Sequence, residues 1–161
     1  MTPQNSPLDT TAAAPMFQLQ RVFLKGLSLE MPSAPEVFIA QGEIRLDFNV
    51  SAENRALDAN VYCITLRGVL TATMADKTVY LLEIDQSGIF EIRDIPAEVL
   101  PQLLEVQGPA VLTSYLRANI SDVLTRATLP MFFLPEVDWL SVFNEKEKAA
   151  RTPAPRLAVV H

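Results

Sequence analysis

Residues 43–50, EIRLDFNV, alternate without a break. Ile44, Leu46, Phe48 and Val50 share one parity, and Glu43, Arg45, Asp47 and Asn49 the other. A period of two belongs to an extended strand with one covered and one wet face. That pattern is the habit of antiparallel sheets, since parallel strands are covered on both sides and read as continuous apolar runs. Three more strands follow the rule less cleanly. In Met16–Glu30, Phe17, Leu19, Phe23, Leu27 and Leu29 fall on the inward parity, and Gln18, Gln20, Gly26, Ser28 and Glu30 on the outward one. Arg21 and Val22 are out of step. Pro32 and Pro35 then end the strand, because proline has no N–H for a ladder. A third strand is expected from about Val61 to Met74, MADKT as a tight connection, and a fourth strand from Thr78 to Gln86, broken at Gly88. SAENRALDAN is polar and reads as a turn or frayed strand. Short links between strands predict an antiparallel meander or Greek key.

Beyond residue 96 the period changes. PAEVLPQLLEVQG is a crossover with a turn or two of helix. Val111, Leu112, Tyr115, Leu116, Asn119, Ile120, Val123, Leu124 and Ala127 then recur at helical spacing for nearly five turns, behind a Pro109 suited to a first helical position. A last amphipathic helix starts near Trp139, with Asp138 as its N-cap. The fold class is α+β: a four-stranded antiparallel sheet packed on a long helix, with a short C-terminal helix. Residues 1–15 are expected to be a disordered N-terminal segment, 16–143 the folded domain, and 144–161 a helix end and flexible tail.

Composition narrows the function. The net charge is −6, against nucleic acid, which selects basic faces. One cysteine, Cys63, cannot form an internal disulfide and fits a reducing compartment. The one histidine is His161, so His-based catalysis and His-ligated metal are not expected. Neither GxGxxG nor GxxxxGK[ST] occurs, and no serine sits in a nucleophile-elbow context. The reading is of a protein that is not an enzyme and uses no cofactor or metal. The first residues lack the basic and apolar regions of a signal peptide, and no apolar run reaches spanning length, so a cytoplasmic location is expected and no membrane insertion.

The unusual features are surfaces. LPMFFLPEVDWL, residues 129–140, holds eight apolar residues in twelve, and its prolines forbid a regular helix. A lining of Phe and Met is adaptable and poor in fixed hydrogen bonds, which suits loose recognition of varied apolar chains. In the fourth strand, Tyr80, Leu82 and Ile84 point inward, leaving Val79, Leu81, Glu83 and Asp85 outward, a mixed apolar and acidic patch that Glu30 joins. The long helix carries more apolar surface than one sheet covers, which points to a second subunit or to cover by a long loop.

Several stretches resemble the SecB family, the bacterial export chaperones, over about residues 16–143. They are FQLQRVFLKGLSLEMPSAPEVF, VYCITLRGVLTAT, YLLEIDQSGIFEI and SYLRANISDVLTRATLPMFFLPEVDWLSVF. The resemblance implies a homotetramer, a dimer of dimers with long helices between outer four-stranded sheets. It implies unfolded precursor polypeptides as clients, held in apolar grooves without ATP, and transfer to the SecA translocation ATPase. The groove residues are read as Phe38, Phe90, Ile92, Met131, Phe133, Leu134, Trp139 and Leu140, and the SecA-docking residues as Glu30, Leu81 and Glu83. There are departures. Gly26 stands where the family often has an acidic residue, the link after the first strand is the shorter IAQGE without a Trp, and Thr113-Ser114 replaces a frequent Phe-Pro. The tail balances Glu145 and Glu147 against Lys146, Lys148, Arg151 and Arg156, so a SecA contact falls to the sheet face rather than the tail. Two other readings remain: a SecB-like chaperone serving a toxin–antitoxin pair, and a lipid or small-molecule carrier using the same groove.

Overall fold

The computed structural model describes residues 13–152. The expected disordered head lies almost wholly outside the described residues, as does the tail beyond 152. Four antiparallel strands, β1 (Met16–Glu30), β2 (Ile44–Asp58), β3 (Val61–Met74) and β4 (Lys77–Arg93), form one sheet in the order β1-β4-β3-β2. β2, β3 and β4 are hairpin neighbours, while β1 reaches the far edge through a crossover containing a 3₁₀ turn at Glu36–Phe38. This is the Greek-key alternative. The β3–β4 turn puts Ala75 and Asp76 at positive φ, which matches the twist of the flanking strands.

After β4, a short helix α1 (Leu100–Gln102) runs through a wide turn, Leu103–Gln107, into α2 (Gly108–Arg126). α3 (Trp139–Arg151) follows an extended strap. In α2, Leu112, Leu116, Ile120 and Leu124 recur every fourth residue and are all buried. They lie on Ile64, Leu66 and Leu70 of β3 and Leu82 and Ile84 of β4 in one core. Close approach depends on glycine. A Cβ at Gly88 would stand 2.7 Å from Leu112 Cδ2, so this glycine, expected to break the strand, lies inside it and admits the helix. One polar cluster crosses the interface: buried Gln86 donates from Nε2 to the Phe23 carbonyl at 3.1 Å, and its Oε1 accepts from Asn119.

Three more expectations change. The β1 ladder skips Gln20 and Lys25, a bulge at each, so Val22 pairs with Gly88 and packs on the core while Phe23 pairs with Ser87 on the outer face. That is why Arg21 and Val22 broke the parity. SAENRALDAN is mostly strand, since β2 stays paired to Asp58. Val79, expected outward, is buried beneath the crossover at a register slip.

Candidate client trough and docking face

β2 is an edge strand beyond α2, which packs chiefly on β3 and β4. The strap between α2 and α3 lies over it. Leu129, Leu134 and Trp139, spaced by five, turn inward and are buried. Phe132 tilts onto Phe48 of β2, with ring centroids 5.5 Å apart. Trp139 is fixed by its polar end: the indole N–H donates to Thr113 Oγ1 at 3.0 Å, and the Thr113 hydroxyl donates to the Pro109 carbonyl at 2.8 Å. Asp138 caps α3, accepting from the Ser141 N–H at 3.0 Å and the Ser141 hydroxyl at 2.7 Å. The hydroxyl bond, then the N–H bond, hold its carboxyl below the usual Asp value.

Apolar hollows lie on either side of the Phe48–Phe132 contact. One of about 240 Å³ is lined by Val50, Ala52, Leu104, Trp139, Val142 and Phe143, with Lys146 and Glu105 at its rim. One of about 200 Å³ is lined by Ile44, Leu46, Tyr80 and Pro130, and burial raises the Tyr80 phenol pKa. Ile44 pairs with Met74, and Met74 enters a third hollow of about 260 Å³ with Val37, Val79 and Lys77, under the crossover. The result is a discontinuous apolar trough along the helix-side face of β2.

The eight groove residues expected from sequence divide. Phe133 is 81% exposed, and Phe38, Met131 and Leu140 are about half exposed. Phe90, Ile92 and Leu134 are core instead: Phe90 is fully buried, stacked on Phe17 at 5.2 Å, and β1 and α2 cover that end of β4. Trp139 is buried too, yet one edge lines the 240 Å³ hollow. Phe48, Leu46, Val50, Val142 and Phe143 line or flank the trough and were not singled out. For Leu46, Phe48 and Val50 the sequence signal was the β2 alternation, whose inward face was assigned wholly to the long helix; for Val142 and Phe143 it was the amphipathic pattern of the last helix.

On the opposite face of the sheet, Glu30 pairs across the ladder with Leu81, and Ser28 with Glu83. Glu30, Leu81 and Glu83 therefore share one patch, as their parity required. Asp85 sits beside it, opposite Gly26. Among the described residues no His, Cys, Asp and Glu side chains cluster so as to hold a metal, and no helix is long and apolar enough to cross a membrane.

A Greek-key sheet under one long helix, with an apolar trough at an edge strand and a charged outer face, defines an α+β protein organised around surfaces. The family model described as "Preprotein translocase subunit SecB" matches residues 10–150. The Protein-export protein SecB of Bordetella pertussis is 41% identical over 142 residues, 87% of this chain and 81% of that one. Those of Bordetella petrii, 41% identical over 83% and 76% of the two chains, and of Burkholderia mallei, 39% over 82% and 83%, are similar. Among solved structures, the Mycobacterium tuberculosis SecB-like chaperone in complex with a peptide from the HigA1 antitoxin superposes with a TM-score of 0.63 at 17% identity, over 76% of this chain and 91% of that one. The chain belongs to the SecB family, the protein-export chaperones.

Proposed function

We propose that this chain holds unfolded precursor polypeptides in the trough along β2, without ATP and without enzymatic activity, and passes them to the SecA ATPase through Glu30, Leu81 and Glu83. The chaperone domain is residues 16–143, acting in the cytoplasm as a homotetramer built as a dimer of dimers. The observation that carries the reading is the row of apolar hollows beside solvent-facing Met131 and Phe133. Phe38 and Leu140 extend the same surface, and Trp139 floors it. The exposed flank of α2, Val111 and Tyr115, supports assembly. Export is favoured over service to an antitoxin because the export relatives are 39–41% identical and the antitoxin-bound neighbour 17%.

Burying a large apolar side chain fully is worth about 1.5–3 kcal/mol. Met131→Ser with Phe133→Ser is therefore expected to weaken capture of an unfolded precursor about tenfold or more by calorimetry, with the mass of the assembly unchanged. Glu83→Lys is expected to abolish SecA binding and spare client binding. Equal client affinity in the first variant, or saturable 1:1 fatty-acid binding with no suppression of aggregation, would overturn the holdase reading.

A further inference from the structure

The acidic patch on the outer face contains a cation of its own. Arg67 of β3 pairs across the ladder with Asp85 of β4. Its Nη1 donates to both Asp85 oxygens, at 3.0 and 3.3 Å, and its Nη2 donates to Glu83 at 3.2 Å. The two carboxylates thus share one guanidinium through separate nitrogens. None of the three is sealed: the side chains of Arg67, Glu83 and Asp85 are 49%, 37% and 27% exposed. On the far side of Asp85, Gly26 places no side chain. A Cβ there would stand 3.5 Å from Asp85 Oδ2.

We infer that Arg67 is a specificity-determining residue of the docking face, an internal counter-cation that any basic group approaching Glu83 has to displace. The inference rests on the reading of Glu83 as a SecA contact. Because the Nη1 and Nη2 bonds are distinct, Nη2 can release Glu83 while Nη1 stays on Asp85. Asp85 is the holder that keeps the released guanidinium out of the way. The fork of Arg makes this division possible, since a lysine ammonium is a single point charge. An exposed pair of this kind is worth less than about fivefold in an equilibrium. That is small enough for a partner presenting several cations to overcome, and large enough to hold off a lone lysine.

The test is calorimetric binding of purified SecA to the full-length assembly across a salt series. Arg67→Gln is expected to bind SecA about threefold more tightly at low salt, with the gain fading near 0.5 M as exposed charges are screened. Arg67→Lys, which keeps the charge but cannot divide its contacts between two nitrogens, is expected to bind SecA no more tightly than wild type. A thermal melt accompanies each variant, and Arg67→Met, which keeps the side-chain stem, replaces Arg67→Gln if that protein melts early. Glu83→Gln separates the two levels of the argument. If Glu83→Gln weakens SecA binding but neutralising Arg67 does not strengthen it, the counter-cation role is overturned and the docking face stands. If Glu83→Gln leaves SecA affinity unchanged, both fall together.

Discussion

α2 and the strap that follows it touch the same side of the same sheet, yet they are held differently. α2 presents an unbroken row, Leu112, Leu116, Ile120 and Leu124, to two central strands and is pulled close by Gly88. The strap presents isolated plugs, Leu129, Leu134 and Trp139, to an edge strand, and Met131 and Phe133 between them stay outside. Continuous burial closes a core. Intermittent burial anchors a segment while leaving apolar surface open, which a polypeptide-binding wall requires. Regular periodicity makes the first arrangement, and prolines that break periodicity make the second.

The largest expected effect lies in the closed region. Phe90→Ala removes a ring with no exposure and is expected to cost about 3–5 kcal/mol in urea unfolding. Undiminished stability with lost client capture would move Phe90 from core to trough and blur the contrast. Thr113→Val keeps shape but leaves the buried Trp139 indole N–H without an acceptor, a loss of about 1–3 kcal/mol. Hydrogen exchange should place that loss in residues 129–143. If protection falls equally along α2, strap and helix open as one unit. The smallest effect is acid-dependent. Asp138 has a lowered pKa in the folded state, so its capping contribution is complete above the ordinary Asp value and is lost as the pH falls through the lowered one. Fluorescence of Trp139, the only tryptophan, should report loosening of the start of α3 in that acid range, and Asp138→Ala should abolish the dependence.

Much of this was legible because each inference rested on a local period. The alternation of β2, the change of period after residue 96, the i, i+4 row of α2 and the Asp138 cap are short-range patterns, and each corresponds to an observed element. The outward placement of Leu81 and Glu83 follows from parity alone, and that of Glu30 agrees with parity because the two bulges of β1 cancel. What was hidden depends on distant chain. The bulges at Gln20 and Lys25 are defined only by pairing with β4. Val79 is buried by a crossover some forty residues earlier in the chain, which meets it through the Ser33 hydroxyl on the Thr78 carbonyl. The spacing of five in the strap matches neither helix nor strand, so sequence could show that it is apolar but not which side chains turn inward. Phe90 and Ile92 lie beyond the strand break expected at Gly88, and only the observed continuation of β4 and its tertiary cover make them core.

The paired bulges of β1 have a consequence for how the two faces keep their alignment. Each inverts the phase of the strand, and two inversions restore it, so Phe17 and Leu29 sit on the same side at opposite ends. Straightening either one alone would turn Leu29 to water and bring Glu30 beneath the greasy side. Sliding by two positions keeps the sides but moves both kinks off their seats against β4. β1 is therefore keyed like a lock with two notches, and the pairing of Glu30 with Leu81 holds only while both notches are seated.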